Sequence, residues 1–143
     1  MTVLRVLALS TLSALGAVSA ADGPSLDYGF FKERVQPIFL AKRPGHARCV
    51  ECHDNRTPRL QELPPGAATW NEEDSRKNFE AWQRVVVPGD PMASRMLMHP
   101  LAAEAGGDPF HAGGKHWQSQ NDPEFQVLAA WIRGEKAAAS SRN

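Results

Sequence analysis

The sequence predicts a small all-α domain of about four short helices joined by long loops. Three observations carry that expectation. Apolar residues recur at three-to-five-residue spacing in several windows, which is the period of one helix face, and no window shows the strict alternation of a half-buried strand. Eleven prolines and eleven glycines interrupt the chain at short intervals, which keeps helices short. The chain has 143 residues, a single-domain length. Apolar residues make up 42% and charged residues 22%, with a formal net charge of zero. That balance excludes a disordered chain, which needs fewer apolar groups and a larger net charge. It also leaves no basic footprint for nucleic acid and no basic run for a membrane surface. No internal repeat is visible.

Residues 1–20 read as a secretory signal peptide. Arg5 precedes a short apolar run from Val6 to Val18, and Val18-Ser19-Ala20 supplies small residues for cleavage near Ala20. The run contains Ser10, Thr11, Ser13 and Gly16 and falls short of the ~20 apolar residues of a spanning helix. The alternative is an uncleaved N-terminal anchor. The expected division is a signal peptide over 1–20, one domain over 21–134 and a flexible tail over 135–143. The mature chain is then exported, periplasmic or extracellular, with no membrane span.

The first helix is expected over 25–41, capped by Ser25 or Asp27. Leu26, Phe30, Phe31, Val35, Ile38 and Phe39 form its apolar face. Pro37 should kink or end it. A loop over 43–48 leads into Cys49-Val50-Glu51-Cys52-His53, and residues 54–70 read as irregular. A second helix begins at Asn71 and runs to about Val85. Three carboxylates stand at its positive end, and Phe79, Trp82 and Val86 make its stripe. Asp90 caps a short third helix opened by Pro91, with Leu97 and one or more of Met92, Met96 and Met98 facing inward. Residues 99–121 form a long loop of the kind that is usually functional. Asp122 caps the last helix, Pro123 opens it, and Phe125, Leu128, Trp131 and Ile132 make its stripe. Gly134 supplies the left-handed residue that closes it.

The chemistry lies in the two cysteines, both within Cys49-Val50-Glu51-Cys52-His53. C-x-x-C-H in an exported chain reads as a c-type haem attachment site. Two thiols three residues apart can add to the two vinyl groups on one side of a porphyrin. The adjoining His53 then donates an imidazole nitrogen to the iron. Three other readings compete. A redox disulfide needs a thioredoxin-like βαβ context, which is absent. A structural zinc site needs four Cys or His ligands at short paired spacings. A surface disulfide closing so short a loop gains little.

With these residues, the chain resembles the single-haem cytochrome c domains of planctomycete-type multidomain proteins. Val35-Gln36-Pro37-Ile38-Phe39 followed by the C-x-x-C-H run is similar to the family's opening. Val87-Pro88-Gly89-Asp90-Pro91 with Ser94 and Leu97 resembles its P-G-D-P-x-x-S-x-L stretch. His111-Ala112-Gly113-Gly114-Lys115, then Asp122 to Gly134 with Trp131-Ile132, is similar to its H-G-G-G-K … W-I-x-G ending. The likeness spans nearly all of residues 30–134. It implies a small cytochrome c-like domain around one covalently bound haem c and its iron.

The sixth iron position is open to several residues. His111 is favoured: glycines after it let backbone approach a flat ring, and it matches the family's H-G-G-G histidine. His116, Met92, Met96, Met98 and an open site are the alternatives. His99 precedes Pro100 and ranks low, and His46 is expected to face solvent. Arg43, Arg48, Arg56, Arg59 and Lys115 are candidates to pair with haem propionates. The function expected is electron transfer with redox partner proteins, including as a subunit of a larger respiratory or oxidoreductase complex. A peroxidase-like enzyme or sensor with an open iron is the alternative. A domain this size is marginally stable, so the haem-free chain is expected to be largely unfolded.

Overall fold

The computed structural model describes residues 23–138; the expected signal peptide and the tail from 139 onward lie outside the described residues. Helices α1 (Tyr28–Phe30) and α2 (Gln36–Leu40) are joined by a π-helical turn, Phe31–Val35, into one continuous rod. Short α3 (Cys49–His53) follows, then α4 (Glu72–Trp82) with a 3₁₀ turn, Gln83–Val85. A 3₁₀ turn, Pro91–Ala93, leads into α5 (Arg95–Met98), another spans Ala103–Ala105, and α6 (Pro123–Ile132) closes the domain. The fold is all-α: among the described residues β-pairing is limited to isolated bridges such as Leu101 with Trp117.

The rod starts where Asp27 accepts a hydrogen bond from the Phe30 N–H at 2.7 Å. Of the two outcomes expected at Pro37, a kink or an end, the helix does not end there. The chain widens before the proline, with the Gln36 N–H bonded to the Phe31 carbonyl five residues back, and the helix continues to Leu40. A π-turn of this kind absorbs a break in the regular ladder without terminating it. The Asn71 side chain accepts from the Asp74 N–H to start α4, and Asp122 accepts from the Glu124 N–H to start α6. Gly134 takes φ +92° just past α6. These boundaries match the caps read from the sequence.

The main core lies between the rod, α4 and α6. Phe31, Phe79 and Trp131 meet there, with ring centroids 5.3 to 6.1 Å apart. The Trp131 indole N–H donates to the Asp27 carbonyl at 2.9 Å, tying α6 to the first turn of α1. The expected α6 stripe is buried throughout: Phe125, Leu128, Trp131 and Ile132 are all 2% exposed or less. One polar group of the rod sits inside as well. Gln36 is buried and its amide donates to the Ser75 hydroxyl of α4 at 3.1 Å.

The 99–121 loop is held more firmly than its composition suggests. Leu101, Ala102 and Trp117 are buried, and the Ala102 N–H donates to the Trp117 carbonyl at 2.8 Å. Lys115 donates from Nζ to the carbonyls of His99 and Asp108, drawing the two sides of the loop together. This brings the histidines of that loop to the same end of the molecule as α3.

Candidate functional site

A cavity of about 260 Å³ opens at that end. Cys49, Cys52 and His53 from α3 line it, together with His99, His111 and His116 from the loop. Ile38, Phe39, Trp82 and Leu128 supply apolar wall. The four site residues expected from sequence, Cys49, Cys52, His53 and His111, therefore share one cavity.

Helix α3 is absent from the sequence expectation, which gave this segment no helix. Five residues are too few to show a period. It forms because Glu51 caps it, accepting from the Arg48 N–H and from Arg48 Nε, both at 2.8 Å. Val50 is 6% exposed and anchors it in the core, and the Leu60 N–H bonds to the His53 carbonyl at 2.7 Å. Helical spacing of three places Cys49 and Cys52 on one face. Both thiols are free, and burial pushes the Cys49 thiol above its ordinary pKa.

The imidazoles are oriented by acceptors. His53 Nδ1 lies 2.7 Å from the Pro58 carbonyl, and His111 Nδ1 lies 2.6 Å from the Gly114 carbonyl. A carbonyl can only accept, so each Nδ1 carries the proton and each neutral ring keeps its Nε2 lone pair free. Such a hydrogen bond fixes tautomer and ring orientation in metal-binding histidines. Burial lowers the pKa of both rings, against the opposing effect of those backbone bonds. Both favour the neutral form that ligates metal. Gly113 lets the chain pass close to His111: a Cβ there would lie 3.0 Å from the ring's Cε1 and press on it.

Three further histidines crowd the His111 wall. His99 packs edge-on against His111 at 5.2 Å, and its Nδ1 is 2.7 Å from the Asp108 carboxylate. His116 lies 5.8 Å from His111 and 4.8 Å from His46. Its Nδ1 is buried without a partner, and burial takes its pKa down to about 4. His46 does not simply face solvent; its ring covers His116. Met96 is buried and lines the cavity, whereas Met92 is 41% exposed and neither Met92 nor Met98 lines it.

Trp82 and Arg95 come from helices distant in sequence and reach the cavity only through the tertiary fold; sequence reasoning placed Trp82 in the core and did not consider Arg95. The Trp82 ring packs on Phe39 at 4.4 Å and on His53 at 5.0 Å, and its indole N–H is buried without a partner. Phe110, the residue before His111, stands at the cavity 71% exposed.

The cavity chemistry fits a haem c. Two unbridged thiols share one helix face, an imidazole follows them with Nε2 free, and a second oriented imidazole lines the same space. Zinc is less well served, because among the described residues no group of three or more His, Cys, Asp or Glu could hold a metal ion. No helix among the described residues is long and apolar enough to cross a membrane. No protein-family model matches the chain, and no curated protein or solved structure shows significant similarity to it.

Proposed function

We propose that the chain is an exported mono-haem c-type cytochrome that transfers electrons. It would resemble the planctomycete-type cytochrome c domain, with a signal peptide over 1–20 directing it to the periplasm or cell exterior. The observation that carries this reading is the shared cavity of Cys49, Cys52 and His53, with His53 held by Pro58 so that its Nε2 is free. Haem c supplies a one-electron iron couple when bound.

The chain's own residues do the rest. Cys49 and Cys52 would hold the group covalently, each S–H adding across one vinyl double bond to give a C–S and a C–H bond with no net oxidation. His53 and His111 would hold its iron through their free Nε2 atoms. His111 is favoured over His116 because its Nδ1 has an acceptor that fixes the ring, whereas His116 Nδ1 has none. Ligation by two histidines implies a lower reduction potential than a His/Met pair. Ile38, Phe39 and Leu128 keep water from the buried edge.

The test is expression with cytochrome c maturation machinery. A haem-staining band surviving denaturation and a low-spin, bis-nitrogen spectrum are expected. A chain without covalent haem would overturn the reading, and a far-red Met-to-iron band would remove both His111 and His116. In His111→Ala the low-spin spectrum should be lost.

A second reading is favoured by the His99–Asp108 pair beside His111. A carboxylate-held imidazole is a general-base arrangement, which suits an open iron and peroxidase-like chemistry. High-spin iron that binds cyanide readily in the parent protein would favour it over electron transfer.

A further inference from the structure

The cavity carries charge of one sign. Three arginines line it, Arg48, Arg56 and Arg95, and no Asp or Glu does. The three differ in what already holds them. Arg48 is committed to Glu51 at 2.8 Å. Arg56 and Arg95 are exposed and take part in no ion pair among the described residues. The other cations considered from sequence are used elsewhere. Arg43 is paired with Glu124, Arg59 donates to the Asp54 carbonyl at 2.7 Å, and Lys115 donates to two backbone carbonyls. Two guanidiniums with free planar forks, at the rim of an apolar cavity without acids, match a ligand with an apolar body and two carboxylates.

We infer that Arg56 and Arg95 form the subsite for the two propionate carboxylates, an inference that rests on the haem reading of the cavity. Guanidinium binds carboxylate through parallel N–H bonds, stronger than neutral hydrogen bonds. Arg56 follows His53 by three residues on the loop that leaves α3, and Arg95 opens α5 on the far side of the sequence. One ligand would therefore be gripped by two separate segments at its polar edge. Both positions are exposed, so the cost of keeping them charged without a ligand is small.

The experiment compares Arg56→Gln, Arg95→Gln, the double variant, their lysine counterparts and Arg48→Gln, all matured with haem. Covalent haem per chain is read first, then the propionate bending bands by resonance Raman, then the reduction potential. Haem attachment should be unchanged, because the thiols make it. The double variant should shift the propionate bands and lower the potential by more than Arg48→Gln does, since uncompensated carboxylates favour the oxidised iron. Lysine should restore part of the potential. Bands and potential in the haem-loaded double variant no more altered than in Arg48→Gln would overturn the inference. If the double variant fails to mature, the single and lysine variants carry the same comparison. A parent chain without covalent haem fails at the first readout, and is thereby told apart from failure of the arginine subsite alone.

Discussion

At one end of the molecule Phe31, Phe79 and Trp131 fill the space between the rod, α4 and α6 with their own rings. At the other, Cys49, His53, Trp82 and His111 surround space that no side chain fills. The two tryptophans make the contrast sharpest. Trp131 is fully buried and its N–H is bonded to Asp27. Trp82 is 6% exposed and its N–H has no partner. Native interiors are close-packed and buried polar groups are bonded. The closed end meets the packing rule with its own rings; the cavity end does not, and the unpartnered Trp82 N–H lies on its wall.

The largest expected effect breaks the contrast directly. The double substitution Cys49→Ala/Cys52→Ala should abolish covalent haem. On the haem reading it should also leave the chain largely unfolded, because the cavity end then lacks its centre. Near-UV circular dichroism and a thermal melt measure this. A sharp, native-like transition in the haem-free chain would mean that the closed end suffices alone, and that the fold tolerates the cavity without help.

Next comes the closed end itself. Trp131→Ala removes the ring that Phe31 and Phe79 both pack against, and should cost about 3–5 kcal/mol, the range for truncating a buried large aromatic. Denaturant midpoints of the haem-loaded protein check it. A cost below about 1 kcal/mol would show that this cluster is not the centre of the core.

The paired substitutions to phenylalanine are gentler. Trp131→Phe leaves the Asp27 carbonyl without its indole donor, a loss of roughly 0.5–1.5 kcal/mol before packing changes. Trp82→Phe removes an N–H that has no partner and so should cost less. The opposite ranking would mean that the Trp82 N–H is used once haem is bound, and would move Trp82 from the wall of the site to its ligand contacts.

The same division governs what the sequence makes legible. Helices α4 and α6 are readable because caps and stripes are local: Asn71 and Asp122 bond to N–H groups two or three residues on. The C-x-x-C-H run is readable because its residues are adjacent in the chain. Helix α3 is not, since its cap, its buried Val50 and its bond to Leu60 have no periodic signature. The helix through Pro37 is readable in its span over 25–41, but the widened turn that carries it past the proline has no signature in composition. Arg95 and His99 reach the cavity only through the placement of α5 and the loop after it. His99 ranks low from its neighbour Pro100, yet Asp108, nine residues on, holds its ring.

The smallest effect tests the seam where the closed end is tied off. Asp27 is bonded four ways: its carboxylate accepts from the Phe30 N–H and, at 3.3 Å, the Ala137 N–H, while its carbonyl accepts from the Phe31 N–H at 3.1 Å and from the Trp131 indole. The Phe30 bond leads the effects that hold its pKa below the ordinary 3.8; partial burial opposes it, and the Ala137 bond and the Lys136 charge assist. A folded pKa below the unfolded one means that the unfolded chain takes up protons first as pH falls. The contribution of Asp27 is therefore present above pH 3.8 and is lost as pH drops through the lower folded value. In the Asp27→Asn variant the amide cannot be protonated in that range, yet it still offers an oxygen to Phe30, and asparagine caps about as well as aspartate. Asp27→Asn should thus unfold close to the parent's denaturant midpoint at pH 7, and its deficit should narrow toward pH 3. An equal gap at both pH values would mean that the carboxylate charge contributes nothing to the seam.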